Sequence, residues 1–173
     1  MHKPNLTSVE AVQATLSILT PLLGVWTGRG KGMFPTLDAF DYFETFHVQR
    51  DPGAPFFTYE QNTELIDPQG RSIRKSHWEA GVLRPLDNGS LELACVQGSG
   101  RVEILQGKIL TKETPAETVI LRFQSELIGN DERVKSTSRV WSLSRNHLKY
   151  VMKMATSRVE ELSLHLEANL FKL

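Results

Sequence analysis

The sequence predicts an all-β protein: an antiparallel up-and-down β-barrel of about ten strands with short N- and C-terminal helices. Apolar and polar residues alternate with period two through its long central part, and turn signals return about every 10 to 15 residues with no helical pattern between them. An open sheet of that many strands would leave two exposed edges, so closure is expected. A barrel wider than about eight strands leaves interior space for a ligand.

The two helices are predicted from apolar spacing near the two ends of the chain. The first extends from about Ser8 to Leu19, with Ser8 as the N-cap and Pro21 ending the helix. The second extends over about residues 158–171. Residues at helical spacing in the first are Val9, Val12, Leu16 and Leu19, and in the second Leu162, His165, Leu166, Asn169 and Leu170.

The strand pattern is clearest over residues 148–154, where apolar residues alternate with Lys149 and Lys153. Residues 119–124 repeat the pattern, and residues 135–141 show it with small polar residues on one face. Residues 87–90 (Asp-Asn-Gly-Ser) separate two apolar segments, as the turn of a short hairpin does. These segments predict an antiparallel meander.

Composition limits the function classes. The chain has 173 residues with 20 Lys+Arg and 20 Asp+Glu, and no basic block stands apart, so no nucleic-acid partner is expected. Cys95 is the single cysteine, which excludes an intrachain disulfide and favours a cytoplasmic location. No apolar stretch approaches about 18 residues, so no membrane partner is expected. The whole chain, residues 1–173, is predicted to be one domain.

A glycine-rich segment opens the barrel pattern. Gly24, Trp26, Gly28 and Gly30 follow one another at every second position and form a GxWxGxG motif. One strand face therefore has few side chains, and either something bulky approaches the backbone there or the strand is tightly curved with Trp26 plugging the barrel. The Lys-Ser/Thr of a phosphate-binding loop is missing.

His77 lies on the same strand face as Glu79, as the alternation of residues 76–84 shows. The two side chains form a metal-binding pair, an acid/base pair or an ordinary hydrogen-bonded pair, and the spacing does not choose among these. Gln97 occupies the corresponding face of the following strand and is a candidate for the same cavity.

His165 lies on the apolar face of the predicted C-terminal helix. An imidazole among leucines requires a partner, so it is either a hydrogen-bonded core residue or a ligand. No Ser-His-Asp order, paired cysteines or His-x-x-x-His helix indicates a hydrolase or a zinc enzyme. From the residues alone, the chain is a small-molecule-binding barrel.

Several motifs in order resemble the nitrobindin family, whose ten-stranded barrel is related in shape to fatty-acid-binding proteins. They are residues 24–30 (GVWTGRG), 34–36 (FPT), 77–85 (HWEAGVLRP), 154–156 (MAT) and 164–170 (LHLEANL). The resemblance implies a b-type haem with His165 as its axial iron ligand and catalytic residue. It also implies that Thr36 and the glycine-rich strand flank the haem, that His77, Gln97 and Met154 face the cavity, and that Lys135 reaches a propionate.

The function that this resemblance implies is isomerisation of peroxynitrite to nitrate at ferric haem, together with reversible binding of nitric oxide. The partners are therefore small molecules, and the protein is expected to be a monomer or homodimer. Two alternatives stay open. One is a haem-free carrier of fatty-acid-like or other apolar molecules, which has no need of His165. The other is a nitric oxide sensor or carrier without turnover.

Overall fold

The computed structural model describes residues 8–110 and 118–173 and contains a closed barrel of ten antiparallel strands, as predicted. Each strand pairs with its sequence neighbours, and β1 pairs with β10 to close the barrel. The strands are β1 Gly24–Phe34, β2 Leu37–Gln49, β3 Phe57–Ile66, β4 Ser72–Pro85, β5 Leu91–Gln97, β6 Val102–Leu110, β7 Thr118–Gly129, β8 Val134–Ser144, β9 His147–Thr156 and β10 Ser163–Lys172.

The predicted C-terminal helix is wrong, because residues 163–172 form strand β10. The apolar residues of this segment fit both helical spacing and period two, since Leu166, Ala168 and Leu170 also alternate with polar residues. Pairing decides between the two, because β10 bonds to β1 on one side and β9 on the other. A helix here would leave two strand edges unpaired.

The predicted N-terminal helix is confirmed as α1, Ser8–Leu19, followed by a 3-10 turn over Thr20–Leu22 that contains Pro21. Leu16 and Leu19 are buried against the barrel core, and the Nε1 of Trp26 donates to the carbonyl oxygen of Leu22 over 2.8 Å. Trp26 is fully buried and fills the barrel at this end. No helix in residues 8–110 and 118–173 is long and apolar enough to span a membrane.

The glycines of β1 make room for two aromatic rings of β2. Gly30 is paired with Tyr42 and Gly32 with Phe40, and a Cβ atom on either glycine would overlap the ring of its partner. The bulky groups expected over this face are therefore Tyr42 and Phe40. The hydroxyl of Tyr42 also donates to the backbone carbonyl oxygen of Glu167 on β10 over 3.3 Å.

Candidate functional site

A cavity of about 220 Å³ lies inside the barrel, toward the end opposite α1. Its entrance is near exposed Ser76 and the partly buried His77 and His165. The residues that line it form an apolar wall and a polar floor. The apolar lining residues are Phe40, Phe46, Trp141, Leu148, Met152 and Leu166, and the polar floor consists of Tyr42, Glu44, Gln61, Glu79, Gln97, Arg139 and Tyr150.

His165 reaches this cavity because strand β10 contains a β-bulge. Leu164 pairs with Lys153 and Leu166 with Met152, so His165 is an extra residue with no partner on β9. Regular alternation would send His165 to the outer face, because Leu166 points inward. Because of the bulge, the adjacent residues His165 and Leu166 both line the cavity. Bulges are frequent where a strand directs a functional side chain.

The imidazole of His165 is positioned by two contacts with β1. Its Nδ1 lies 3.4 Å from the carbonyl oxygen of Met33, and the ring of Phe34 meets it edge-on with centroids 5.6 Å apart. Within residues 8–110 and 118–173, the Nε2 has no hydrogen-bond partner. Burial lowers the pKa of His165, the Met33 carbonyl opposes that effect, and the charge of Arg101 lowers the pKa further.

The other predicted site residues near this end lie outside the cavity wall. Met154 is buried in a small cluster with Phe34 and Val134 and does not line the cavity. Thr36 is exposed in the turn between β1 and β2, and Lys135 is exposed at a register shift in β8. The structure therefore brings together His77, Gln97 and His165, and leaves Thr36, Lys135 and Met154 apart from them.

His77 and Glu79 share the inner face of β4, as predicted. The Nε2 of His77 lies 4.0 Å from Oε2 of Glu79, and its backbone N–H donates to Oγ1 of Thr63 over 3.1 Å. Burial lowers the pKa of His77, and the charge of Glu79 opposes that effect only in part. Gln97 donates to Glu79 over 3.0 Å, which joins it to the same group. Both cavity histidines are therefore neutral at neutral pH.

A buried ion cluster stands behind His77. Arg139 binds Glu79 bidentately, with distances of 2.5 and 2.9 Å, and also lies 3.5 Å from Glu103. Tyr59 donates to Glu79 over 2.7 Å. Burial raises the pKa of Glu79, but the guanidinium of Arg139 and these hydrogen bonds outweigh it and hold the pKa at about 2. Glu79 is therefore ionised and fully partnered.

A second polar cluster contains Glu44, which has no Lys or Arg partner in the part of the chain that the structure describes. Tyr150 donates to its Oε2 over 2.6 Å, and Gln61 donates to its Oε1 over 2.9 Å. The hydroxyls of Tyr150 and Tyr42 are 2.7 Å apart. Burial raises the pKa of Glu44 to about 7, although the hydrogen bonds from Tyr150 and Gln61 act in the opposite direction. Glu44 therefore holds or releases a proton near neutral pH.

The sequence analysis does not predict these two clusters, although the alternation of inward and outward residues carries a signal for both. Arg139 is two residues from Trp141 on β8, so both point inward. Glu44 likewise lies between the inward residues Tyr42 and Phe46 on β2. A charged residue at an inward position of a barrel strand requires a buried partner. The sequence analysis names Glu79, but its partner Arg139 lies 60 residues further along the chain, so local spacing does not connect the two.

The donor chemistry of the cavity fits a haem. His165 offers a neutral imidazole whose Nδ1 faces a backbone carbonyl, the arrangement that orients a metal-binding histidine and leaves Nε2 free for iron. The surrounding side chains Phe40, Met152 and Leu166 supply an apolar wall. The described residues contain no group of three or more His, Cys, Asp or Glu side chains that could chelate a bare metal ion.

The chain is similar to several known proteins over most of its length. The chain is 35% identical over 155 residues to a peroxynitrite isomerase of Arabidopsis thaliana, covering 90% of this chain and 87% of that protein. It is 31% identical over 163 residues to a peroxynitrite isomerase of Nocardia farcinica, covering 92% of each. The crystal structure of Rv2717c from M. tuberculosis superposes with a TM-score of 0.78 at 30% identity, covering 94% of this chain and 97% of that one.

A family model also matches most of the chain. Residues 15–172 match the family described as the THAP4-like, heme-binding beta-barrel domain. The match includes all ten strands and every cavity residue named above. The expected resemblance to the nitrobindin family and the expected haem cofactor are confirmed. The chain belongs to the THAP4-like haem-binding β-barrel family.

Proposed function

We propose that this protein isomerises peroxynitrite to nitrate at a ferric b-type haem that His165 holds, and that the same site binds nitric oxide reversibly. The observation that carries the proposal is the placement of His165, whose bulge directs a neutral imidazole into the cavity. Relatives that share about a third of its residues are named peroxynitrite isomerases. The iron supplies the electrophilic centre at which peroxynitrite is rearranged.

The protein's own residues have separate tasks in this proposal. His165 would hold the iron through its imidazole, whose ring is oriented by the contacts with Met33 and Phe34. Met152 and Leu166 exclude water from part of the cavity. His77 and Gln97 face the cavity, and the hydrogen bond from Gln97 to Glu79 makes Gln97 a fixed polar group for a small reactant. Fixed polar groups need no reorganisation during a reaction.

Thr36, Lys135 and Met154 have outer roles in this proposal. Met154 packs in one buried cluster with Phe34, whose ring contacts His165. Thr36 and Lys135 are exposed, which suits contact with the polar edge of a haem rather than with its iron. The cytoplasm is the proposed compartment, because a single buried cysteine needs no oxidising environment. A monomer or homodimer is the proposed assembly.

The alternative of a fatty-acid-like carrier is less well supported. A carboxylate ligand inside a barrel needs a cation that is free to receive it. Arg139 is bound to Glu79 through both terminal nitrogens, and Arg101 lies 3.0 Å from Glu103. Both guanidinium groups that line the cavity therefore have carboxylate partners already.

The test is a haemin titration followed by its visible spectrum, together with stopped-flow measurement of peroxynitrite decay. The wild type should give a saturable one-to-one ferric spectrum and faster decay, and His165→Ala should lose both. His47→Ala is the matched control, because His47 does not line the cavity and its ring lies within hydrogen-bond distance of Gln49 on the same strand, β2. Unchanged peroxynitrite decay with the haem-loaded wild type would refute the isomerase, and nitric oxide titration would then test a binding role alone.

A further inference from the structure

All three tyrosines of the chain lie inside the barrel. Tyr42, Tyr59 and Tyr150 have exposed fractions of 1%, 6% and 7%. Tyr42 and Tyr150 line the cavity, and Tyr59 donates to Glu79, which lines it as well. In a protein whose proposed substrate is a strong oxidant, every phenol is therefore at the cavity or one hydrogen bond away. The hydroxyl of Tyr150 donates to Glu44, whereas that of Tyr59 donates to Glu79.

We propose that Tyr150 and Glu44 form a redox site that reduces nitrogen dioxide, a one-electron oxidant that forms when the O–O bond of peroxynitrite breaks. An electron passes from Tyr150 to nitrogen dioxide and makes nitrite. The phenolic proton passes to the Glu44 carboxylate over the 2.6 Å hydrogen bond, leaving a neutral tyrosyl radical. A second nitrogen dioxide then forms a C–N bond with the ring, and the ring hydrogen returns to oxygen, giving 3-nitrotyrosine. The source of the oxidant rests on the proposed function.

The choice of Tyr150 follows from the acceptor of its proton. Glu44 accepts hydrogen bonds from Tyr150 and Gln61 and has no Lys or Arg partner among residues 8–110 and 118–173. A proton given to Glu44 therefore breaks no ion pair. The acceptor of Tyr59 is Glu79, whose two oxygens bind Arg139. Protonating Glu79 would leave a buried guanidinium without its counter-charge, which is strongly unfavourable.

The position of Tyr150 also suits an oxidant released near His165. Met152 pairs with Leu166, the neighbour of His165, and Tyr150 is the next inward residue of β9. Two residues along a strand span about 7 Å, so Tyr150 lies one layer deeper than the residues around His165. The cavity is continuous between them, because His165, Met152 and Tyr150 all line it. Tyr42 lines the cavity too, and its hydroxyl lies 2.7 Å from that of Tyr150.

The reaction should depend on pH through Glu44. The groups that act on its charge are Tyr150 from β9, Tyr42 on its own strand, Gln61 from β3, and Glu79 from β4, which Arg139 of β8 neutralises. With the pKa of Glu44 raised by burial to about 7, its carboxylate fraction increases through neutral pH. Oxidation of Tyr150 should therefore increase between about pH 6 and about pH 8.

The experiment exposes the haem-loaded full chain to peroxynitrite and, in a parallel arm, to nitrogen dioxide generated by pulse radiolysis of nitrite. Peptide mass spectrometry measures 3-nitrotyrosine at each of the three tyrosines. Tyr150 should exceed Tyr59 by about tenfold, which corresponds to about 1.4 kcal/mol in activation free energy. Glu44→Gln keeps a hydrogen-bond acceptor but removes the base, so it should lower the Tyr150 yield about tenfold and abolish the pH dependence.

Tyr59→Phe is the control, and the yield at Tyr150 should be the same in that variant as in the wild type. Dominant nitration of Tyr59, or an unchanged Tyr150 yield in Glu44→Gln, would overturn the proposal, as would no nitration in either arm. The nitrogen dioxide arm does not need peroxynitrite turnover, so failure of the isomerase is seen separately in the decay rates. If Glu44→Gln does not fold, a flat pH profile of Tyr150 nitration in the wild type overturns the proposal by itself.

Discussion

The side chains of His165 and Leu166 both line the cavity although the two residues are neighbours on strand β10. Neighbouring residues of a regular strand point to opposite faces of the sheet. The bulge after Leu164 breaks this rule by inserting His165 without a partner on β9. The candidate axial ligand is therefore directed inward by one extra residue in its strand.

Deleting Leu164 should remove the bulge and turn His165 outward. His165 would then pair with Lys153 in place of Leu164, while Leu166 kept its partner Met152. We expect the barrel to fold but to lose the histidine-ligated haem spectrum, as measured by haemin titration with circular dichroism to check the fold. Leu164→Ala, which keeps the chain length, should bind haem as the wild type does. Normal haem ligation in the deletion variant would contradict this account of the bulge.

Gly30→Ala should destabilise the barrel, because the added Cβ would overlap the ring of Tyr42. Displacing that ring would also disturb the 2.7 Å contact between the hydroxyls of Tyr42 and Tyr150. Overpacking of this kind costs about 1–3 kcal/mol. Gly98→Ala is the matched control, since the nearest atoms to its new Cβ are 3.8 Å away, on Trp78. Urea unfolding measures both, and equal midpoints would show that the Tyr42 ring moves aside freely.

The barrel was predictable from the sequence because the strand and turn patterns recur along most of the chain. Period-two alternation and regular turns predicted a meander, and edge exposure predicted closure. The hairpin between β4 and β5 appears where its Asp-Asn-Gly-Ser turn predicts it, with Gly89 in the left-handed region at φ 80°. Segment 163–172 was not predictable in the same way, because its leucines fit a helix as well as a strand.

The candidate site was predictable only in part. His77 and Gln97 were found from alternation, because regular strands preserve the parity of their side chains. His165 was found by resemblance, but its inward direction depends on a bulge that no sequence period reveals. The partners Arg139 and Glu79 lie on β8 and β4, on opposite sides of the barrel order. Such contacts depend on closure and not on local pattern.

Arg139→Met should be among the most destabilising single changes in the barrel. It leaves Glu79 buried and charged without the guanidinium that now holds both of its oxygens. Removing one partner of a buried pair costs about 3–5 kcal/mol. Adding Glu79→Gln to this variant removes the unpaired buried charge and should recover much of the lost unfolding free energy. Chemical denaturation of the single and double variants checks this, and a double variant no more stable than Arg139→Met would count against the pairing as the cause.

The pH dependence of stability should show opposite contributions from Glu79 and Glu44. The pKa of Glu79 is lowered from 4.5 to about 2, so its stabilising contribution is complete above 4.5 and is lost as the pH falls toward 2. The pKa of Glu44 is raised from 4.5 to about 7, so its contribution is complete below 4.5 and is lost as the pH rises toward 7.

Glu44→Gln should therefore flatten the decline of unfolding free energy between pH 4.5 and about 7, a decline of roughly 3 kcal/mol in the wild type. The amide stays neutral over this interval, whereas the buried carboxyl must ionise without a cation beside it. Urea unfolding at half-unit pH steps, on the wild type and the variant, measures the difference directly. Glu92→Gln is the control, because Glu92 forms only an exposed pair with Arg84 and has little influence on stability. A wild-type decline that persists in Glu44→Gln would assign the effect to another group and would remove Glu44 as the proton acceptor of the barrel floor.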